Sequence, residues 1–319
     1  MAVVIACLLA LVLSVLIGNR RAKRAYHRKT HGLWETLLAA AGDPAARDHD
    51  APIPVGAQDA IDTAGQAGVP FTSVTVVTGD GTWQTRGRPL FAPDMLTGLP
   101  SLADLYLRHA IAEGTPLAHA ALLEMTGALR AEKGRWMGLV AEEIIVPGRG
   151  FVWRATARVR GLPVSGADYY VDGEGEVWFR LLGLLTVAKS GGEATSRSAL
   201  GRLVGETIWC PSALLLMPGV TWEQTGRDTL RLLVPAGGRA NRLDLVVDAR
   251  GAVCEAVVDR YDDSGRCPDR EYVPFGVRVE QERTFDGYTI PTRVSGGWLY
   301  GEEGYEETFR FEITRATFV

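Results

Sequence analysis

"FVWRATARVRGLPVSGADYYVDGEGEVWFRL", residues 151–181, decides the fold. Phe151, Trp153, Ala155, Ala157 and Val159 alternate with Val152, Arg154, Thr156 and Arg158, and a period of two gives a strand with one apolar and one mostly polar face. Further on, Asp168, Asp172, Glu174 and Glu176 crowd four carboxylates among tyrosines and glycines. A calcium loop fails on spacing, because Asp168 and Asp172 stand four apart with Tyr169 and Tyr170 between them. A hairpin fits: "ADYYV" is one strand, Asp172-Gly173 with Glu174-Gly175 makes the turn, and "EVWFRLLGLL" returns. Asp172 and Glu174 are then solvated, while Asp168 and Glu176 fall near the strands. Directly opposed carboxylates repel, so one of them is expected to meet Arg158, Arg180 or Arg202.

The same alternation recurs in "RLDLVVD" (242–248), "FGVRVEQE" (275–282) and "TFRFEITRATF" (308–318), with turn signals at Asp172-Gly173, Arg250-Gly251, Asp286-Gly287 and Glu303-Gly304. Strands this close pair antiparallel, because parallel neighbours need crossover segments that the spacing does not leave. Two helices enter this pattern. "SLADLYLRHAIAEG" (101–114) has Ser101 as cap and Gly114 as stop, and "SRSALGRLVGETIWCPSALL" has Ser198 as cap with Leu200, Leu203, Val204 and Ile208 on one face. Arg202 and Glu206 lie four apart and read as an exposed pair, and Gly201 with Gly205 reads as a strip for close packing on a sheet.

Ahead of this region, "AVVIACLLALVLSVLI" (2–17) carries no charge and is followed by Arg20, Arg21, Lys23, Arg24, Arg28 and Lys29. At 1.5 Å per residue such a helix spans about 24 Å, and snorkelling arginines make up the rest of a bilayer core. A cleaved signal peptide wants its positive charge before the apolar run. The reading is therefore an uncleaved transmembrane anchor over 1–18, single-pass in a bacterial inner membrane, with the basic flank holding the remainder on the cytoplasmic side. Residues 19–98 follow as a basic juxtamembrane helix, "THGLWETLLAAAGD" (30–43), and a Pro/Gly-rich extension in which "FTSVTVVTGDGTWQTRG" forms a hairpin. Residues 99–319 make the β domain.

The chemistry visible in the chain is thin. Of 319 residues 46% are hydrophobic and 23% charged, with a net charge of −4, so no global basic field recruits nucleic acid. All five histidines precede residue 120, which leaves the long run of strands after it none for a triad or metal site. Four cysteines lack any C-x-x-C spacing, and a Cys254–Cys267 bridge stays open. No cofactor loop or hydrolase elbow is present. Eight tryptophans remain, and a curved sheet that cannot close around so many rings leaves an apolar hollow.

From "LPSLADLYL" through the opening stretch, "SALGRLVGETIWCPSALL", "PFGVRVEQERTFDGYTIPT" and "FRFEIT", residues 99–319 resemble the bacterial family catalogued as domain of unknown function 6544. That resemblance implies membrane segments ahead of the domain and supplies no catalytic residues. The order of elements is also similar to a lipoprotein-carrier half-barrel. The fold expected is thus mainly β (α+β), a curved antiparallel sheet or half-open barrel wrapping one or two helices.

The function expected is a membrane-anchored, non-catalytic binding protein whose partners are the lipid bilayer and a lipid-like ligand. Its site comprises Trp153, Trp178 and Trp209 with Asp168, Arg180, Arg202 and Glu206. Two alternatives stand beside it: a hydrolase or lyase using Asp168, Glu176 or Glu206 with Arg202, and an envelope interaction module bearing an exposed apolar patch.

Overall fold

Period-two alternation produces a sheet of unusual width. The structure, a computed structural model, describes residues 26–42, 71–77, 83–130 and 134–319, with the backbone alone at 71–77 and 83–87. The expected anchor over 1–18 lies outside the described residues, and among the described residues no helix is long and apolar enough to cross a membrane. In chain order the elements are helix α1 (26–42), β1 (Phe71–Val77), β2 (Trp83–Pro89), α2 (Ser101–Ala110), β3 (Ala121–Arg130), β4 (Trp136–Val146), β5 (Gly150–Val159), β6 (Leu162–Val171), β7 (Glu174–Leu181) and β8 (Leu185–Gly191). Helix α3 (Glu193–Gly205), a 3-10 turn (Glu206–Trp209) and α4 (Pro211–Leu216) interrupt the strands. They resume as β9 (Thr221–Gln224), β10 (Thr229–Ala236), β11 (Arg239–Val247), β12 (Val253–Tyr261), β13 (Tyr272–Phe285), β14 (Tyr288–Trp298) and β15 (Glu306–Phe318).

β1 and β2 pair as the expected hairpin. The other 13 strands form one open, curved antiparallel sheet ordered 8-7-6-5-4-3-15-14-13-12-11-10-9, in which every strand but one pair follows its neighbour in sequence. The exception is β3 against β15, where the two ends of the domain meet. Asp172-Gly173 and Asp286-Gly287 turn the chain with both residues at positive φ, the conformation of a two-residue hairpin. The first of these turns is tighter than the sequence suggested, since Glu174 already begins β7.

The inner face wraps α2, α3 and α4 around one large core that includes Leu107, Leu203, Ile208 and Trp209. Phe91 and Leu96, within the proline-rich stretch, are 2% exposed and belong to that core. The glycine strip packs on the sheet as expected, and Gly201 is its tight point: a Cβ there would meet Arg260 Cγ at 3.0 Å, whereas one on Gly205 would meet Val258 at an ordinary 3.6 Å. The helix starts earlier than the Ser198 cap implied. Glu193 opens it behind Gly192, which stands at φ 83°, and Ser198 is buried one turn inside.

On the outer face α1 covers β4, β5 and β6. Leu37 is fully buried against a second cluster that contains Ile144, Val152 and Tyr169. Strands buried on both faces lose their alternation, which is why "EEIIV" in β4 reads as a run. Cys210, Cys254 and Cys267 are free thiols, so Cys254 and Cys267 do not pair.

Candidate functional site

Two strands place carboxyl groups on the apolar inner face, on either side of a tryptophan. Glu143 on β4 stands opposite Trp153 on β5, and Trp153 stands opposite Asp168 on β6, so the three side chains form one row across the sheet. Arg202 on α3 reaches into that row. Its Nη2 donates to Glu143 at 2.6 Å, its Nη1 to Asp168 at 2.6 Å and its Nε to Glu206 at 2.5 Å. The guanidinium lies 4.3 Å from the Phe151 ring centroid and 5.3 Å from that of Trp153. The pair read from sequence as exposed is therefore nearly dry, with the Arg202 side chain 14% and that of Glu206 10% exposed.

Burial sets the protonation of this cluster. Glu143, 1% exposed, has its pKa raised well above the ordinary carboxylate range, first by burial and next by the Glu206 charge, against the pull of Arg202. The closeness of Glu206 acts in the same direction. Burial also raises the pKa of Glu206, while Arg202 works to lower it. For Arg202 burial acts downward, and the Glu206, Glu143 and Asp168 carboxylates outweigh it, so it stays charged. The arrangement is one cation held by three carboxyl groups. Asp168 Oδ1 is left with no donor among the described residues.

Beside the cluster, between α3 and the sheet, lies an open cavity of about 320 Å³. That volume falls at the lower end of the roughly 300–1,000 Å³ range of small-molecule sites. Its walls are mostly apolar, with Met125, Phe179, Phe275, Trp298 and Phe311 among them, and Arg260 on β12 also lines it.

Five of the seven side chains expected at the site line this cavity: Trp153, Asp168, Arg202, Glu206 and Trp209. Trp153 donates Nε1–H to the Met125 sulfur at 3.5 Å, and Trp209 donates to the Pro291 carbonyl at 3.0 Å, so both rings are fixed walls. The other two stand elsewhere. Val177 and Phe179 point inward, so Trp178 and Arg180, one position out of phase, fall on the outer face. There Arg180 lies 4.0 Å over the Trp178 ring, which meets Tyr26 of α1 edge-on. Glu176, named with them as a catalytic alternative, is outside too: it opposes Tyr169 rather than Asp168, accepts from Tyr169 Oη at 2.7 Å and pairs with Lys29 at 2.9 Å. The repulsion between Asp168 and Glu176 that the sequence suggested does not arise, because the two lie on opposite faces.

Glu143 and Arg260 escaped the sequence reading although both carry a signal. Each breaks an inner-face series of apolar residues at spacing two, Ala141-Glu143-Ile145 and Ala256-Val258-Arg260. A charge in such a series is either paired or waiting for a partner.

The profile of a family described as a family of unknown function, DUF6544, matches residues 89–311. No curated protein matches the chain. Among solved structures, a LolA superfamily protein from Nitrosomonas europaea is 11% identical, with 69% of this chain and 92% of that chain covered at a TM-score of 0.39. A DUF1329 family protein from Desulfovibrio piger is 12% identical, with 68% and 92% covered at a TM-score of 0.39. Scores below 0.5 carry neither a fold nor a ligand across. The family match spans most of the chain and all of the strands that build the cavity, and the protein belongs to the DUF6544 family.

Proposed function

We propose that the chain binds a single-chain amphiphile in the cavity between α3 and the sheet, without transforming it, while residues 1–18 anchor it in a bilayer and the basic flank keeps the domain on the cytoplasmic side. One observation carries the reading: an open hollow of about 320 Å³, walled by Trp153, Phe179 and Phe311, beside a charged group in which Arg202 is paired with Glu143, Asp168 and Glu206. Apolar walls favour a hydrocarbon chain, and each methylene buried contributes about 0.8 kcal/mol, so ten give roughly 8 kcal/mol before ordering costs. That is of micromolar strength, about −8 kcal/mol. Extraction of the purified protein with organic solvent, followed by mass spectrometry, should yield one single-chain amphiphile near stoichiometry. An empty extract, together with no uptake of a fluorescent fatty acid, overturns the proposal.

A second reading rests on a different observation. Asp168 and Glu206 converge on Arg202 beside Glu143, whose pKa burial raises, and Asp168 Oδ1 keeps a free lone pair, a grouping that suits acid–base work on an ester or glycoside. It requires turnover that Asp168→Asn abolishes while ligand uptake survives.

A further inference from the structure

The cavity contains a second arginine, and its situation is the reverse of that of Arg202. Arg260 donates Nε–H to the Ser198 carbonyl at 3.0 Å and to Ser198 Oγ at 3.2 Å. Its guanidinium lies 4.5 Å from the Phe275 centroid and 4.6 Å from that of Trp298. Gly201 packs on the stem of the side chain, where an added Cβ would stand 3.0 Å from Arg260 Cγ. The side chain is thus fixed by helix and rings, yet no described carboxylate lies within the 4.0 Å of an ion pair, and no described residue accepts from its terminal nitrogens. Arg266, which also stacks on Trp298 at 4.1 Å, shows what is missing, because it reaches both Asp262 and Glu306. Around Arg260, Asp168, Glu206 and Glu143 are all bound to Arg202, and Asp263 acts only from longer range. Burial pulls the Arg260 pKa down to about 10, which leaves it charged at neutral pH.

Arg260 is half-buried and lines the cavity, and a charge set among apolar walls without a counter-ion favours a ligand that supplies one. A guanidinium held in place with its fork open recognises planar or tetrahedral oxyanions through two parallel hydrogen bonds. We infer that Arg260 is the head-group site of the cavity, and that the amphiphile it selects ends in an anion, a carboxylate or a phosphate monoester. The head sits against Arg260 between Phe275 and Trp298, and the chain runs along Met125, Trp153, Phe179 and Phe311. This rests on the binding function proposed above.

The test uses the full chain, delipidated, with four probes of one chain length: dodecanoate, dodecyl phosphate, dodecanol and methyl dodecanoate. The anions are expected to bind at least about tenfold tighter than the alcohol and ester, as a charge-assisted hydrogen bond implies. Arg260→Gln should bring that ratio to within about threefold of unity by weakening the anions alone, and Arg260→Lys, which keeps the charge and loses the fork, should fall between. Dodecanoate outbinding dodecyl phosphate marks a fatty-acid ligand, and the reverse marks a phospholipid-derived one; either supports the assignment. If no probe binds the wild-type chain, the binding function itself falls. If alcohol and anions bind alike, the head-group assignment falls and the binding function stands. Should Arg260→Gln fail to fold, the wild-type ratio and the lysine variant still decide.

Discussion

Two cationic side chains approach the β6–β7 pair from opposite sides of the sheet. Inside, Arg202 meets Asp168 with 14% and 17% of the two side chains exposed; outside, Lys29 of α1 meets Glu176 with 49% and 22% exposed. The contacts are similar in length, 2.6 and 2.9 Å, so geometry does not separate them. Water does. An exposed pair is screened and contributes little, whereas a buried charge left alone is strongly unfavourable. The inner cluster is therefore a rigid fixture of the cavity, and the outer pair only guides a helix that apolar packing holds down.

The sharpest way to break this contrast is Arg202→Met. It leaves Asp168 and Glu206 buried without their cation and should cost roughly 3–5 kcal/mol in urea unfolding at neutral pH. A loss near zero would show that water already fills the cluster. Leu37→Ala comes next, at roughly 2–5 kcal/mol for a fully buried leucine, and it should free α1 while the sheet stays folded, read as fast hydrogen exchange confined to the helix.

Proton linkage gives the third comparison, and the two faces should answer with opposite sign. Glu143 has a raised pKa in the folded chain, so the unfolded chain ionises first, and stability falls as pH rises above about 4.5 towards the folded value. Glu176 has a lowered pKa: burial raises it, but the Tyr169 and Lys29 hydrogen bonds prevail, so its stabilisation is present above about 4.5 and is lost as pH falls. Glu143→Gln should flatten the stability profile on the alkaline side of pH 4.5, and Glu176→Gln on the acid side. Matching slopes in the two variants would erase the distinction. The smallest effect is expected for Lys29→Ala, below about 1 kcal/mol, since the lysine is half exposed and the apolar contacts of α1 are untouched.

Strands were legible because alternation is local. The series Trp153-Ala155-Ala157 states its own face, and Asp-Gly states its own turn. The same rule, applied one step further, would have separated the site residues. Phe179 faces the cavity, so Trp178 and Arg180 cannot, and Asp168 and Glu176 occupy opposite faces. A turn of two or of four residues pairs even-numbered with odd-numbered positions alike, so parity alone separates the two carboxylates, and the turn length decides only that Glu176 meets Tyr169 rather than Val171. The depth of Arg202 and Glu206 was hidden for another reason. Their spacing is that of an ordinary surface pair on a helix, and only the sheet that closes over α3 makes them interior. Partners such as Glu143, 59 residues from Arg202, are set by that closure and by nothing nearby in the chain.

The acid of Glu143 also carries a timing device. Below about pH 4.5, where its raised pKa keeps it protonated, its carboxyl is 1% exposed behind Arg202 and the overlying helix, so its hydrogen swaps for deuterium mainly when that helix lifts. In heavy water the lag before its carbonyl stretch shifts would thus count the openings of the cavity floor, directly and without any added label.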